Sequence, residues 1–167
     1  LVWQGASMAI DQQILLVSPV RVVVRLLEMA LTAELWTSIG FSLLRIGAGF
    51  LLAAALGAGL AALSARFSRV EELLAPAMLA IQSVPVASFI ILALIWFSSR
   101  SLSVLISFLM VLPVLYANTL GGIRAADAQL LEMAQVFRIP AARRVRYVYL
   151  PQVLPYFRSA CQAALGL

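Results

Sequence analysis

The side chains in this chain that could do chemistry are few, and their types exclude most catalytic designs. All twelve basic residues are arginine, histidine is absent, Cys161 is the single cysteine, and seven acids are scattered along 167 residues. A phosphate-cradling G-x-x-x-x-G-K-[ST] loop needs its lysine, so an ordinary nucleotide-hydrolysing site is excluded. Metal-ligand clusters and histidine-based triads lack their parts, so neither a catalytic nor a metal-binding residue is expected. Cys161 lies in an apolar stretch and reads as a small packing residue. What remains is charge and hydrogen-bonding capacity in two places. One is the polar, arginine-studded segment Glu132–Pro151, EMAQVFRIPAARRVRYVYLP. The other is a set of uncharged polar residues inside apolar runs: Gln82 and Ser83 before Pro85, and the pair Asn118 and Thr119.

The elements that would position these residues are apolar. The chain is 63% hydrophobic and 11% charged, with mean hydropathy +1.03, against roughly 25% charged residues in soluble domains. Lipid is therefore the expected solvent. Three nearly complete spans are predicted, at 35–63, 77–97 and 102–123. The first is interrupted by Arg45, which is expected to snorkel toward an interface. Its small residues Gly49, Ala53, Gly57 and Ala61 recur every four positions and form one stripe on a helix. Such a stripe serves either tight packing within the chain or a dimer seam. A polar hinge at 64–76 precedes the second span, where Pro85 removes a backbone hydrogen bond. Gln82 and Ser83 would satisfy the freed backbone or line a path. The turn Ser98-Ser99-Arg100-Ser101 makes the second and third spans an antiparallel hairpin.

Arginine counting sets the orientation. Arg66 and Arg69 precede the second span, and Arg124, Arg138, Arg143, Arg144 and Arg146 follow the third, whereas the turn between them holds only Arg100. The positive-inside rule places 64–76 and 124–151 in the cytoplasm. Before the first span, 17–35 mixes Arg21, Arg25 and Glu28 with apolar residues, and Ser18-Pro19 reads as a helix start. This helix is expected to lie flat on the outer membrane surface, with Trp3-Gln4 as the tail of a preceding span. The chain opens at Leu1 without methionine and stops at Leu167 inside an apolar run begun after Pro155. We read residues 1–167 as one membrane domain, incomplete at both ends.

Within 124–151 two short helices are expected. Asp127 caps the first, which carries Glu132 with Gln129 and Gln135 on one side and Leu130, Met133, Ala134 and Phe137 on the other. Pro140 suits the first turn of the second, and Leu150-Pro151 ends it, because a residue before proline leaves the helical region. An apolar face on a polar loop needs burial against a partner.

The register of this segment resembles the cytoplasmic loop of bacterial ABC-importer permeases: E-A-A, three residues, G, nine residues, I, one residue, L-P. Glu132 and Ala134 match, Met133 stands for the first Ala, Val148 for the Ile, and Leu150-Pro151 fall in register. Arg138 stands where that family has glycine. Either Arg138 takes the left-handed turn at a cost of roughly 1 kcal/mol, or the turn is built differently, with Pro140 fixing its exit. Across nearly the whole chain, the order Trp-Gln, Ser-Pro, ELWTSIGFSLLRIGAGFLLAAALG, Val84-Pro85 and Ile95-Trp96-Phe97 resembles the nitrate/sulfonate/taurine branch.

The resemblance implies an all-α transmembrane bundle with about five of six family helices at least partly present. It implies a multi-pass permease of the bacterial cytoplasmic membrane, not itself an enzyme, working in a homodimer with two ABC ATPases and an external solute-binding protein. ATP and magnesium would sit on the ATPase, leaving this chain without a cofactor and with no nucleic-acid partner. Glu132, Met133, Ala134, Arg138, Leu150 and Pro151 would then contact the ATPase, and Gln82, Ser83, Pro85, Asn118 and Thr119 would line the path. Nitrate, a sulfonate, taurine, bicarbonate and a vitamin precursor all remain open as the solute. A membrane enzyme is disfavoured because it needs ionisable or metal-binding residues within the spans, and only Arg45 is present there. A non-conducting scaffold that docks an ATPase is the alternative.

Overall fold

The computed structural model describes residues 18–83, 86–96 and 98–166, so the expectations for Trp3-Gln4 and for Val84, Pro85 and Phe97 lie outside the described residues. Among the described residues the chain is all helix: α1 (Pro19–Ala30), α2 (Ala33–Arg66), α3 (Ser68–Ser83), α4 (Val86–Trp96), α5 (Ser99–Arg124), α6 (Ala128–Val136), α7 (Ala141–Arg144) and α8 (Leu150–Leu165). Two compact units divide it, residues 1–44 and 45–167.

In the first unit, Ser18 is extended (φ −61°, ψ 136°) at the N-cap and Pro19 opens α1. Proline fits there because its missing N–H has no helical acceptor in the first turn. Arg21, Arg25 and Glu28 fall at i, i+4 and i+7, and the Arg25 Nη1–Glu28 Oε2 pair (2.9 Å) is exposed. Such a surface pair contributes only a few tenths of a kcal/mol, about what i,i+3 pairs give. The indole Nε1–H of Trp36 donates to the Ala30 carbonyl at 2.9 Å and ties the turn between α1 and α2.

The second unit is built on close backbone approach. The stripe Gly49, Ala53, Gly57, Ala61 is buried, with Ser64 continuing it. A Cβ on Gly49 would lie 2.5 Å from the Val104 carbonyl oxygen, and one on Gly57 would lie 3.2 Å from Leu115 Cβ. The stripe is thus the seam between α2 and α5 of one chain. Ser107 Oγ donates to the Ile46 carbonyl (3.0 Å) and Tyr116 OH to Ser64 Oγ (3.0 Å, buried), so these two hydroxyls are paired across the seam. On α5's other flanks lie α3, α4 and α8. Gly122 lets Tyr156 of α8 come so close that a Cβ would sit 2.8 Å from the tyrosine Cβ. Ala53, Ala61, Met78, Leu112, Leu115, Tyr116, Ala160 and Ala164 form the shared core, with Cys161 packed against it.

The helix α2 and, from Ser101, the helix α5 are long and apolar enough to cross a membrane. Most of α2 is exposed, whereas α5 is mostly buried or half-buried. A core helix of a soluble protein would be mostly covered, which α2 is not. At 34 residues and about 1.5 Å per residue, α2 is about 50 Å long, more than the hydrocarbon thickness.

One expectation is corrected. The hinge at 64–76 is not a loop: α2 runs to Arg66, Phe67 alone interrupts, and α3 continues through Pro76. Glu71 lies in the first turn of α3, where the helix dipole favours a carboxylate. Proline's φ suits a helix, and Pro76 forfeits one hydrogen bond that packing around Leu74 and Met78 offsets.

Candidate functional site

The segment after α5 is held by specific polar contacts. Arg124, at the end of α5, forms an ion pair with Glu71 of α3. The next two amides turn back onto α5, Ala125 N–H to Gly121 O and Ala126 N–H to Ile123 O. The Asp127 N–H instead donates to Gln152 Oε1 of α8 at 2.8 Å. Asp127 Oδ1 accepts from the Gln129 N–H at 2.8 Å and so caps α6. An acidic N-cap satisfies an orphan donor and favours the positive end of the dipole.

The other end of α6 closes in a Schellman motif. Arg138 N–H donates to Gln135 O (2.9 Å) and Ile139 N–H to Ala134 O (2.9 Å). This six-to-one pattern requires a left-handed residue after the C-cap, and Arg138 supplies it with φ 50°. Among the described residues it is the one non-glycine with positive φ. Of the two constructions left open by the sequence, the structure uses the left-handed one. Pro140 (φ −53°, ψ 143°) then occupies the N-cap position of α7, one residue before the first turn in which it was expected.

The expected stop at Leu150-Pro151 is absent. A π-helical turn, Val145–Tyr149, joins α7 to α8, and Leu150 stays helical (φ −57°, ψ −45°). Proline in a regular α-helix clashes with the carbonyl four residues earlier. The wider π turn just before Pro151 relieves that clash, so the helix passes through.

The side chains of α6 divide unevenly. Ala134 is 1% exposed, buried in its own chain, so its place is beneath the helix rather than on its outer surface. Met133 is 48% exposed, Val136 78% and Phe137 73%. These, with Leu130 and the exposed Glu132, form a continuous outer face. Arg138, Leu150 and Pro151 are exposed as well, as are Arg143 and Arg146, the latter 5.8 Å over the Tyr147 ring.

The other polar set is not one cluster. Gln82 and Ser83 are exposed at the end of α3, and Ser83 Oγ bonds back to Ala80 O (3.0 Å). Asn118 is exposed, with Nδ2 on Val114 O (2.8 Å). Its neighbour Thr119 is buried with its hydroxyl unpaired among the described residues. Asn118 and Thr119 therefore point in different directions.

Sequence reasoning missed Val136, Gln152, and the Arg124–Glu71 and Tyr116–Ser64 pairs. Val136 was recoverable from helical periodicity, since it follows Met133 by three positions. The others join residues 25 to 53 positions apart, and nothing local marks them. Among the described residues no three acids, cysteines or histidines come together as a metal site.

α6 is a short helix held at both ends, with Glu132 beside an apolar face that its own chain leaves uncovered. Comparison with known proteins finds transport permeases among its relatives. The putative aliphatic sulfonates transport permease protein SsuC of Bacillus subtilis is 31% identical over 99% of this chain and 61% of its own length. SsuC of Escherichia coli is 31% identical over 99% of the chain and 64% of its own length. The formylaminopyrimidine transport permease protein ThiX of Halalkalibacterium halodurans is 26% identical over 100% and 67%. The chain thus spans 61% to 67% of the length of these relatives. A family profile, that of the binding-protein-dependent transport system inner membrane component, matches residues 52–165, which takes in α3 to α8 and all of 124–151. With that match covering most of the chain, this protein belongs to the binding-protein-dependent transport system inner membrane component family.

Proposed function

We propose that this chain is the permease subunit of an ATP-driven ABC importer, and that α6 is the helix onto which the ATPase docks. The observation that carries the proposal is the outer face of Leu130, Met133, Val136 and Phe137 beside Glu132, on a helix pinned at both ends. Buried against a partner, these side chains supply apolar contact, and Glu132 supplies a charge-assisted hydrogen bond worth about 1.5–3 kcal/mol. Arg138, Leu150 and Pro151 stand at the margins of the contact, and Ala134 supports the helix from beneath.

The arginine asymmetry supports a multi-pass arrangement in the bacterial cytoplasmic membrane, with α6 on the cytoplasmic side. A second permease subunit would complete the pathway, with a solute-binding protein delivering from outside. The names of the relatives favour a small organic solute, an aliphatic sulfonate first. Gln82, Ser83 and Asn118, exposed and uncharged, are the path candidates; Thr119, being buried, would act through packing.

Reconstituted uptake tests this reading. Glu132→Ala should weaken ATPase co-purification or uncouple hydrolysis from uptake, whereas Asn118→Leu should slow uptake with ATPase association intact. Wild-type association and coupling in the Glu132 variant would remove α6 as the docking element. ATPase binding without any uptake by the wild-type assembly would favour the non-conducting scaffold.

A further inference from the structure

The two arms of the Gln152 side chain form a bridge whose position suits transmission rather than simple cohesion. Its Oε1 accepts from Asp127 N–H at 2.8 Å, and its Nε2 donates to the Val148 carbonyl at 3.0 Å. Asp127 begins α6, and Val148 lies in the π-helical turn that leads into α8. The amide therefore joins the start of the docking helix to the start of α8. Both of its ends are engaged and the residue is half-buried, so the amide is held in one orientation.

The link matters because of what lies beside it. Ala125 and Ala126 bond back to α5, but Asp127 does not. Without Gln152 that amide would have no acceptor within the chain, and the α5–α6 connection would lose its tie to α8. A load on α6 would then be absorbed at residues 125–127. At its far end α6 is closed by the Arg138–Ile139 turn, so both ends of the helix are held. With the bridge in place, a displacement of α6 is passed to α8, which packs along α5 through Gly122 and Tyr156.

We infer that Gln152 is a positioning residue that transmits movement of α6 into α8, coupling ATPase motion to the membrane pathway. This rests on the permease reading above. The test uses the assembled transporter in proteoliposomes, with Gln152→Leu, which removes both arms, and Gln152→Glu, which keeps the acceptor for Asp127 and loses the donor to Val148. Three quantities are read: ATPase co-purification, solute taken up per ATP hydrolysed, and hydrogen exchange of the Asp127 amide.

For Gln152→Leu we expect unchanged co-purification, faster exchange at Asp127, and uptake per ATP lowered about fivefold, the equilibrium shift that loss of one neutral hydrogen bond gives. Gln152→Glu should retain Asp127 protection and give an intermediate ratio, and it serves alone if the leucine variant does not assemble. A purely structural role would lower thermal stability without moving the ratio. Accelerated Asp127 exchange with a wild-type uptake ratio in Gln152→Leu overturns the inference, as does a wild-type ratio in Gln152→Glu if that variant alone assembles. Absence of ATP-driven uptake in the wild-type assembly defeats the permease reading first, and is recognised by that control.

Discussion

Replacing Arg138 by glycine should tighten the turn that closes α6, although it deletes a charged side chain. Arg138 holds φ 50°, a region where a Cβ crowds the backbone at a cost of about 1–2 kcal/mol. Glycine escapes that cost but has more freedom to lose when it is ordered, which returns about 0.5–1 kcal/mol. The net gain is about 0.5–1 kcal/mol, or a two- to fivefold shift in the local opening equilibrium. Its site is defined by two hydrogen bonds, from the amide of residue 138 to Gln135 O and from Ile139 N–H to Ala134 O. Hydrogen exchange resolved to single amides reads both. In Arg138→Gly the Ile139 amide should exchange about two- to fivefold more slowly than in wild type. Arg138→Ala keeps a Cβ and should leave the rate near wild type, separating backbone strain from loss of the guanidinium. Equal slowing in the two variants would refute the strain argument, as would an unchanged or faster rate in Arg138→Gly.

Two further outcomes follow from the same coordinates. Gly49→Ala should destabilise the detergent-solubilised protein by about 1–3 kcal/mol, because its Cβ would meet the Val104 carbonyl at 2.5 Å. Gly59→Ala, facing open space, should be neutral or stabilising by up to about 1 kcal/mol; thermal unfolding of the pair checks this, and equal effects would contradict the α2–α5 seam. For orientation, Ser99→Cys should react with an impermeant thiol reagent from outside the cell and Ala142→Cys only from inside, in a Cys161→Ala background. The reverse pattern would place α6 on the wrong side for an ATPase.

The sequence by itself determined what depends on composition and near neighbours. The scarcity of charge pointed to an apolar solvent, the arginine distribution argued for sidedness, and the four-residue spacing put Gly49 to Ala61 on one smooth helix face. Asp127 was legible as a cap because capping joins residues two positions apart, and the register from Glu132 to Leu150-Pro151 carried the family. The tertiary structure decided what depends on which helix lies opposite. It assigned the small-residue stripe to α5, turned Ala134 inward, and chose the left-handed turn for Arg138 because the Gln135 and Ala134 carbonyls accept from its own amide and that of Ile139. It also carried the helix through Leu150-Pro151 by a π turn that the rule for residues before proline does not foresee. Gln152 shows the divide most clearly. Its type and position in sequence say nothing about an amide 25 residues earlier, because a hydrogen bond across a helical hairpin is specified by the packing of the two helices and leaves no period in the chain.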